Sequence, residues 1–169
     1  MDIKILGICG SPVKGGNTEV FLGEALKVAQ EMDGVRTEMI SVAGKNIGGC
    51  RHCNWCLLKQ IEGRVCNIDD DMQDIYPKII EADALLVATP TYFTRLSGYT
   101  AIFIDRLRSV LMGRYYRGQL TNKVVGAMTV LWWRNFGAET ALLSVVSAFM
   151  AANMIVVGSG EGVCQFGRH

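Results

Sequence analysis

A doubly wound α/β fold, with one parallel sheet of five strands and helices on both faces, is what this sequence predicts. Three observations carry the expectation. Short apolar runs alternate with segments of helical period along the chain. The first run, Ile3–Cys9 (IKILGIC), stops at Gly10-Ser11-Pro12, as a buried strand gives way to a loop. The run Ala84–Thr89 (ALLVAT) is continuously apolar and ends at Pro90, which suits a central parallel strand covered on both faces.

The remaining elements follow in order. Asn17 or Thr18 is expected to cap a helix whose apolar face is Phe21, Ala25, Val28 and Met32. Val35–Val42 alternates and reads as a second strand nearer an edge. Residues 44–70 form a long irregular stretch rich in Gly, Cys and basic side chains, and a loop of that length in a compact domain is usually functional. Asp71–Glu81 is expected to be helical, with acidic residues at its start where the macrodipole favours them. Tyr99–Met112 reads as a helix, Lys123–Leu131 as the fourth strand, Glu139–Ala152 as a helix and Met154–Gly158 as the fifth strand. Only Ser159–His169 follows, so either the helix that normally covers such a sheet is absent, or the Gly-rich tail passes to a neighbouring subunit.

The bulk numbers narrow the function. The 169 residues suit one domain spanning 1–169, without linker or internal repeat. With 17 basic and 16 acidic residues the net charge is +1, which supplies no electrostatic reason for a nucleic-acid or membrane partner. The apolar runs are too short or too interrupted to span a bilayer, and the N-terminus enters a strand directly, with no signal-peptide pattern. A cytoplasmic location is the expectation. The 6 cysteines then argue for redox or metal chemistry, not for a secreted disulfide framework.

Three loops fall on one sheet edge, the carboxyl ends of the strands, where open α/β sheets take their ligands. The first, Gly10–Thr18 (GSPVKGGNT), offers backbone N–H groups with Ser11, Lys14, Gly16, Asn17 and Thr18 at a helix start, and fits a terminal phosphate. It matches neither G-x-G-x-x-G nor G-x-x-x-x-G-K-[ST], so a monophosphate suits it better than the nucleotides those motifs serve; the plain alternative is a well-capped glycine turn. The second, Pro90-Thr91-Tyr92-Phe93, carries aromatics to face a flat ring and a hydroxyl for its edge, or else core and subunit-contact residues. The third, Leu131–Gly137, sets Trp132 and Trp133 beside Arg134; two adjacent tryptophans cannot both face one core, so at least one is expected at the surface. Phosphate donors, a hydroxyl and aromatics together are the needs of FMN.

Cys50, Cys53 and Cys56 form C-x2-C-x2-C, with Cys66 after nine intervening residues. Thiolates at this spacing wrap one face of a cubane and a fourth closes it, so an iron–sulfur cluster is the leading reading. Zinc and free thiols are the alternatives. Arg51 and Arg64 are placed to offset cluster charge, and His52 is either a substitute ligand or an exposed loop residue. Cys9 reads as a small core residue, Cys164 has no assigned partner, and Asp69-Asp70-Asp71 reads as helix capping on a solvated face rather than as a cation site.

Taken together, GSPVKGGNT at 10–18, the cysteine loop with DDDM at 69–72, TPTYF at 89–93, FIDR at 103–106 and RNFGAET at 134–140 resemble the iron–sulfur flavoproteins, a branch of the NADPH-dependent FMN reductase superfamily. The resemblance implies a flavodoxin-like sheet of order 2-1-3-4-5 and FMN held by Ser11, Asn17, Thr18, Pro90, Thr91, Tyr92 and Phe93. It also implies a [4Fe–4S] cluster on Cys50, Cys53, Cys56 and Cys66, and a homodimer or homotetramer. Ferredoxin, NAD(P)H or a quinone are the soluble electron partners it suggests. The chain departs from the family in its longer Cys56–Cys66 gap, in Phe136 and Ala138, and in Trp132 and Trp133, which are expected to close in the flavin.

No general acid–base pair is needed for such chemistry, and His52 and His169 are the only histidines. Backbone donors, Thr91 and Arg134 are expected to tune the flavin. A cluster-free NAD(P)H-dependent FMN or quinone reductase is the enzymatic alternative. A zinc- or thiol-based sensing module is the alternative from another class.

Overall fold

The computed structural model describes residues 2–134 and 136–158; the tail 159–169, with Cys164 and His169, and Asn135 lie outside the described residues. The strands are β1 (Ile3–Cys9), β2 (Val35–Ser41), β3 (Ala84–Tyr92), β4 (Arg95–Leu96), β5 (Val124–Val130) and β6 (Ile155–Val156). The helices are α1 (Asn17–Gln30), α2 (Trp55–Leu58), α3 (Met72–Glu81), α4 (Gly98–Arg106), α5 (Arg108–Leu111) and α6 (Ala138–Ala151). The sheet runs β2-β1-β3-β5-β6, every neighbour parallel, with β4 antiparallel on β3. These are the five expected parallel strands in the expected spatial order, with one unexpected two-residue strand inserted in the numbering. No helix among the described residues is long and apolar enough to cross a membrane.

Alternate strand residues feed two cores, as a period of two requires. Leu6, Ile8, Leu85, Val87 and Val125 join side chains of α3, α4 and α6 in the larger one. Cys9 and Ala88 join Leu22 and Leu26 of α1 in the smaller one. The α1 face therefore differs from the expected one: Thr18, Leu22 and Leu26 point inward, while Phe21, Val28 and Met32 are exposed. The reason lies on β1. Gly7 opens a groove that Leu26 fills, such that a Cβ there would stand 2.5 Å from Leu26 Cδ1. Packing against that groove chooses the stripe.

Three other expectations are corrected. β3 extends through Pro90 to Tyr92 and then folds back as β4, pairing Thr91 with Leu96 and Tyr92 with Arg95. The helix expected over Tyr99–Met112 is divided into α4 and α5. The stretch 44–70 is not irregular throughout: it contains α2, and Ile61 bridges Arg64.

Candidate functional site

The first loop is rooted in a buried polar knot. The Gly10 N–H donates to Ala88 O at 2.8 Å, and the Gly10 carbonyl accepts from Ser97 Oγ at 2.6 Å and faces Thr100 Oγ1 at 3.3 Å. Thr100 Oγ1 also lies 2.9 Å from Thr89 Oγ1, which accepts the Ser97 N–H at 3.1 Å. Thr89, Ser97 and Thr100 are all buried, so each bond replaces water that the site excludes. The knot ties the end of β1 to the end of β3 and to the start of α4. Next to it, burial pushes the Cys9 thiol up from its ordinary range, which keeps it a neutral core residue.

Beyond the knot, Ser11 Oγ accepts the Val13 N–H at 3.1 Å, so that hydroxyl is already committed to the turn. Gly15 takes φ +67°, and Gly16, rather than Asn17 or Thr18, is the N-cap of α1. Gly16 O receives the N–H groups of Glu19 and Val20, whereas those of Asn17 and Thr18 have no partner among the described residues. Orphan donors at a helix start bind an anion well. Ser11, Gly16, Asn17 and Thr18 share a cavity of about 440 Å³ with Pro90, Thr91, Tyr92 and Trp132. Lys14 does not line it; it lies on a neighbouring surface with Glu38, Lys45 and Asp74 beside β2.

The second and third loops meet in an aromatic hollow of about 500 Å³ formed by Thr91, Tyr92, Phe93, Trp132, Trp133 and Phe136, which shares Thr91, Tyr92 and Trp132 with the first cavity. Thr91 is held in place: its Oγ1 is 2.8 Å from Thr129 Oγ1, which in turn donates to Thr89 O at 2.9 Å. Phe93 and Thr94 turn the β3–β4 hairpin at φ +48° and +63°. Two positive φ values are what a tight hairpin demands, yet a phenylalanine and a β-branched residue adopt them at a cost of about 1–3 kcal/mol each. A neighbour secures the turn. Gly137, at φ +83°, packs so closely on Thr94 that a Cβ would sit 2.6 Å from Thr94 Cβ and 2.8 Å from its carbonyl carbon.

The outcome is a display of aromatic rings. Phe93 is 91% exposed and Trp132 93%, while Trp133 stacks edge-on against Phe136 with centroids 5.6 Å apart. The tryptophans thus do not close the hollow in this chain, contrary to the expectation. Arg134 is exposed and lines neither cavity.

A separate small cavity lies at the cysteine loop, lined by Cys50, Cys53, Cys56 and Cys66 together with Arg51, Arg106 and Arg108. His52 and Asn54, at φ +52° and +57°, wind the backbone on either side of Cys53, a conformation that both residue types tolerate better than most. Cys50 and Cys53 are exposed, Cys56 is buried at α2, and Cys66 is intermediate. Burial pushes the Cys56 thiol up; Arg108 pulls it down, and Cys66, Cys50 and Cys53 push it up again. The four thiols line one small cavity. Among the described residues no three His, Cys, Asp or Glu side chains already stand in metal-holding geometry. His52 is exposed and does not line the cavity, and Arg64 lies over Trp55 at 6.0 Å instead of facing the thiols.

The loop is anchored by residues that the sequence reading passed over. Gln60 is buried; its Nε2 donates to Val65 O at 2.7 Å and Ser109 O at 2.9 Å, and its Oε1 accepts the Tyr115 and Tyr116 N–H groups. Gln73 Nε2 donates to Cys66 O and Ile68 O, both at 2.7 Å. Asp70 is not on a solvated face. Its side chain is 3% exposed and forms a two-point ion pair with Arg106, at 2.5 Å from NH1 to Oδ2 and 3.0 Å from NH2 to Oδ1. Burial pushes the Asp70 carboxyl up, but the guanidinium and the Gly48 and Met72 N–H groups outweigh it and hold the carboxyl below its ordinary range. Arg106 Nε is buried without a partner among the described residues, at a cost of about 1–3 kcal/mol.

Comparison with known proteins gives these sites a context. A family model described as NADPH-dependent FMN reductase matches residues 3–168. An iron–sulfur flavoprotein of Methanocaldococcus jannaschii is 38% identical over 165 residues, covering 98% of this chain and 81% of the relative. The solved structure of RosB with its bound intermediate 8-demethyl-8-formylriboflavin-5'-phosphate matches at TM-score 0.72 and 20% identity, over 91% of this chain but only 61% of that one. The flavodoxin, WrbA-like protein from Agrobacterium tumefaciens matches at TM-score 0.63 and 16% identity, over 95% and 80% of the two chains. At those identities the two structures establish the flavodoxin-like fold alone.

Proposed function

The chain belongs to the NADPH-dependent FMN reductase family as one of its iron–sulfur flavoproteins, a flavin-dependent oxidoreductase, and from that premise we propose that Cys50, Cys53, Cys56 and Cys66 hold a [4Fe–4S] cluster, so that the protein passes electrons between it and FMN. One observation carries the proposal: all four thiols, from a loop that needs two left-handed residues to wind it, line one cavity walled by arginines. That donor set suits a thiolate-ligated centre carrying negative charge.

The flavin site passes the same kind of test. Its two adjoining cavities fall in the size range of small-molecule sites, one with the polar loop Ser11–Thr18 in its wall and the other lined almost wholly by aromatic rings, as a phosphate and a ring system require. In the proposal the Asn17 and Thr18 N–H groups bind the phosphate, with Ser11 and Gly16 shaping the turn. Pro90 and Thr91 fix the ring edge through the Thr91–Thr129 pair, and Tyr92, Phe93 and Trp132 contribute apolar surface that excludes water from the ring. Lys14 and Arg134 line neither cavity and are left at most a long-range electrostatic role. Bound FMN supplies one- and two-electron redox exchange, and an iron–sulfur centre one-electron exchange. The electron partner is a small soluble donor or acceptor, such as ferredoxin, NAD(P)H or a quinone, and the protein works in the cytoplasm as a homodimer or homotetramer.

The test is a visible spectrum of anaerobically purified protein, with iron, sulfide and flavin assayed on the same sample. Flavin bands over a broad sulfur-to-iron shoulder, with about four irons per chain, support the proposal. Flavin without iron leaves a cluster-free reductase; zinc in the loop without turnover leaves a sensing module. A Cys50→Ala variant is expected to lose iron and one-electron transfer while keeping FMN.

A further inference from the structure

We propose that Arg106 and Arg108 form a cationic wall that raises the reduction potential of the centre held by the four cysteines. The assignment rests on the cluster reading above. Both arginines come from the α4–α5 corner, far in sequence from the cysteines, and both line the thiol cavity, whereas Asp70 does not.

The hydrogen bonds of Arg106 show which part of it faces which way. NH1 donates to Gly48 O at 2.7 Å and to Asp70 Oδ2 at 2.5 Å, and NH2 donates to Asp70 Oδ1 at 3.0 Å. These bonds suffice to fasten the loop to α4. They leave Nε–H as a donor without a partner among the described residues, in a side chain that is only 1% exposed. Arg106 thus borders the thiol cavity while its counter-ion Asp70 does not line it. Cys66 lines the same cavity as Arg106. Arg108 is fixed by a neutral group, donating to Asn54 Oδ1 at 2.8 Å between Cys53 and Cys56, so its charge is not cancelled there.

The chemistry follows from charge. Reduction adds one electron, delivered from reduced FMN, and one negative charge to a thiolate-bound centre bordered by the buried Arg106. Fixed cations and N–H donors at the sulfurs favour the more negative, reduced form, and net charge and hydrogen bonding to sulfur are recognised determinants of such potentials.

The experiment is an anaerobic redox titration followed by electron paramagnetic resonance on the wild type, Arg108→Gln and Arg106→Lys, with iron content and thermal unfolding measured on each sample. Arg108→Gln is expected to keep its iron and to lower the reduced-to-oxidised ratio at a given potential about tenfold, a downward shift of about 59 mV for a one-electron couple. Arg106→Lys keeps the charge but loses the Nε–H, and is expected to shift in the same direction by less. An iron-replete Arg108→Gln with the wild-type midpoint overturns the proposal, even if Arg106→Lys fails to fold. A folded Arg106→Lys that loses thermal stability but keeps the midpoint reduces Arg106 to a structural anchor. Wild type that holds flavin without iron overturns the cluster reading beneath, and the arginine assignment with it.

Discussion

Replacing Gly137 by alanine should loosen both aromatic loops at once. The residue sits at φ +83°, where an L side chain costs about 1–2 kcal/mol. Its new Cβ would stand 2.6 Å from Thr94 Cβ and 2.8 Å from the Thr94 carbonyl carbon, so backbone as well as side chain must give way. Overpacking of this kind adds about 1–3 kcal/mol. Gly44→Ala is the matched control: it has φ +74° with nothing within 4 Å of the added carbon, so it should show the conformational cost alone. Urea denaturation is expected to place Gly137→Ala below Gly44→Ala by about 1–3 kcal/mol. If the free protein relieves the clash by parting the Phe93 and Trp133 loops, FMN has to restore their spacing. Its Kd, read from quenching of flavin fluorescence, should then rise about 5- to 140-fold in Gly137→Ala and little in Gly44→Ala. Equal stability and equal Kd in the two variants would refute the idea that the Gly137–Thr94 contact holds the site together.

Three further outcomes are expected. Leu26→Ala should cost about 2–5 kcal/mol in chemical denaturation, because Leu26 is buried in the α1–sheet core, whereas Val28→Ala, at an exposed position, should stay within about 0.5 kcal/mol; the reverse order would restore the face first expected for α1. Thr100→Val should cost about 1–3 kcal/mol and weaken FMN binding, since it removes the hydroxyl that joins Gly10 O and Thr89 Oγ1; an unchanged Tm would show that the knot is dispensable. The Asp70 carboxyl titrates below its unfolded value, so its stabilisation is complete above about pH 4 and is lost as pH falls through the lower folded value. Asp70→Asn, which leaves Arg106 buried without its counter-charge, should therefore be less stable than wild type by about 3–5 kcal/mol near neutrality, with the gap narrowing below about pH 4. A gap that stays constant across that range would remove Asp70 as its source.

The sequence by itself determined the order of the five parallel strands, the parallel sheet, the positions of the three loops on one edge and the grouping of Cys50, Cys53, Cys56 and Cys66. These are legible because apolar period, Gly-Ser-Pro and Pro90 breaks and cysteine spacing are local signals, written within a few residues of where they act. The tertiary structure alone decided the rest. Phe21 and Val28 against Leu22 and Leu26 are two plausible apolar stripes on one helix, and the choice was made by a groove at Gly7 on another element. The β3–β4 hairpin turns at Phe93-Thr94, without the Asn-Gly or Asp-Gly signature, because Gly137 in a distant loop packs against it. Asp70 looked like part of a solvated acidic run, yet it is buried against an arginine 36 residues away. In each case a partner remote in sequence supplies the deciding free energy, and no local pattern can carry that.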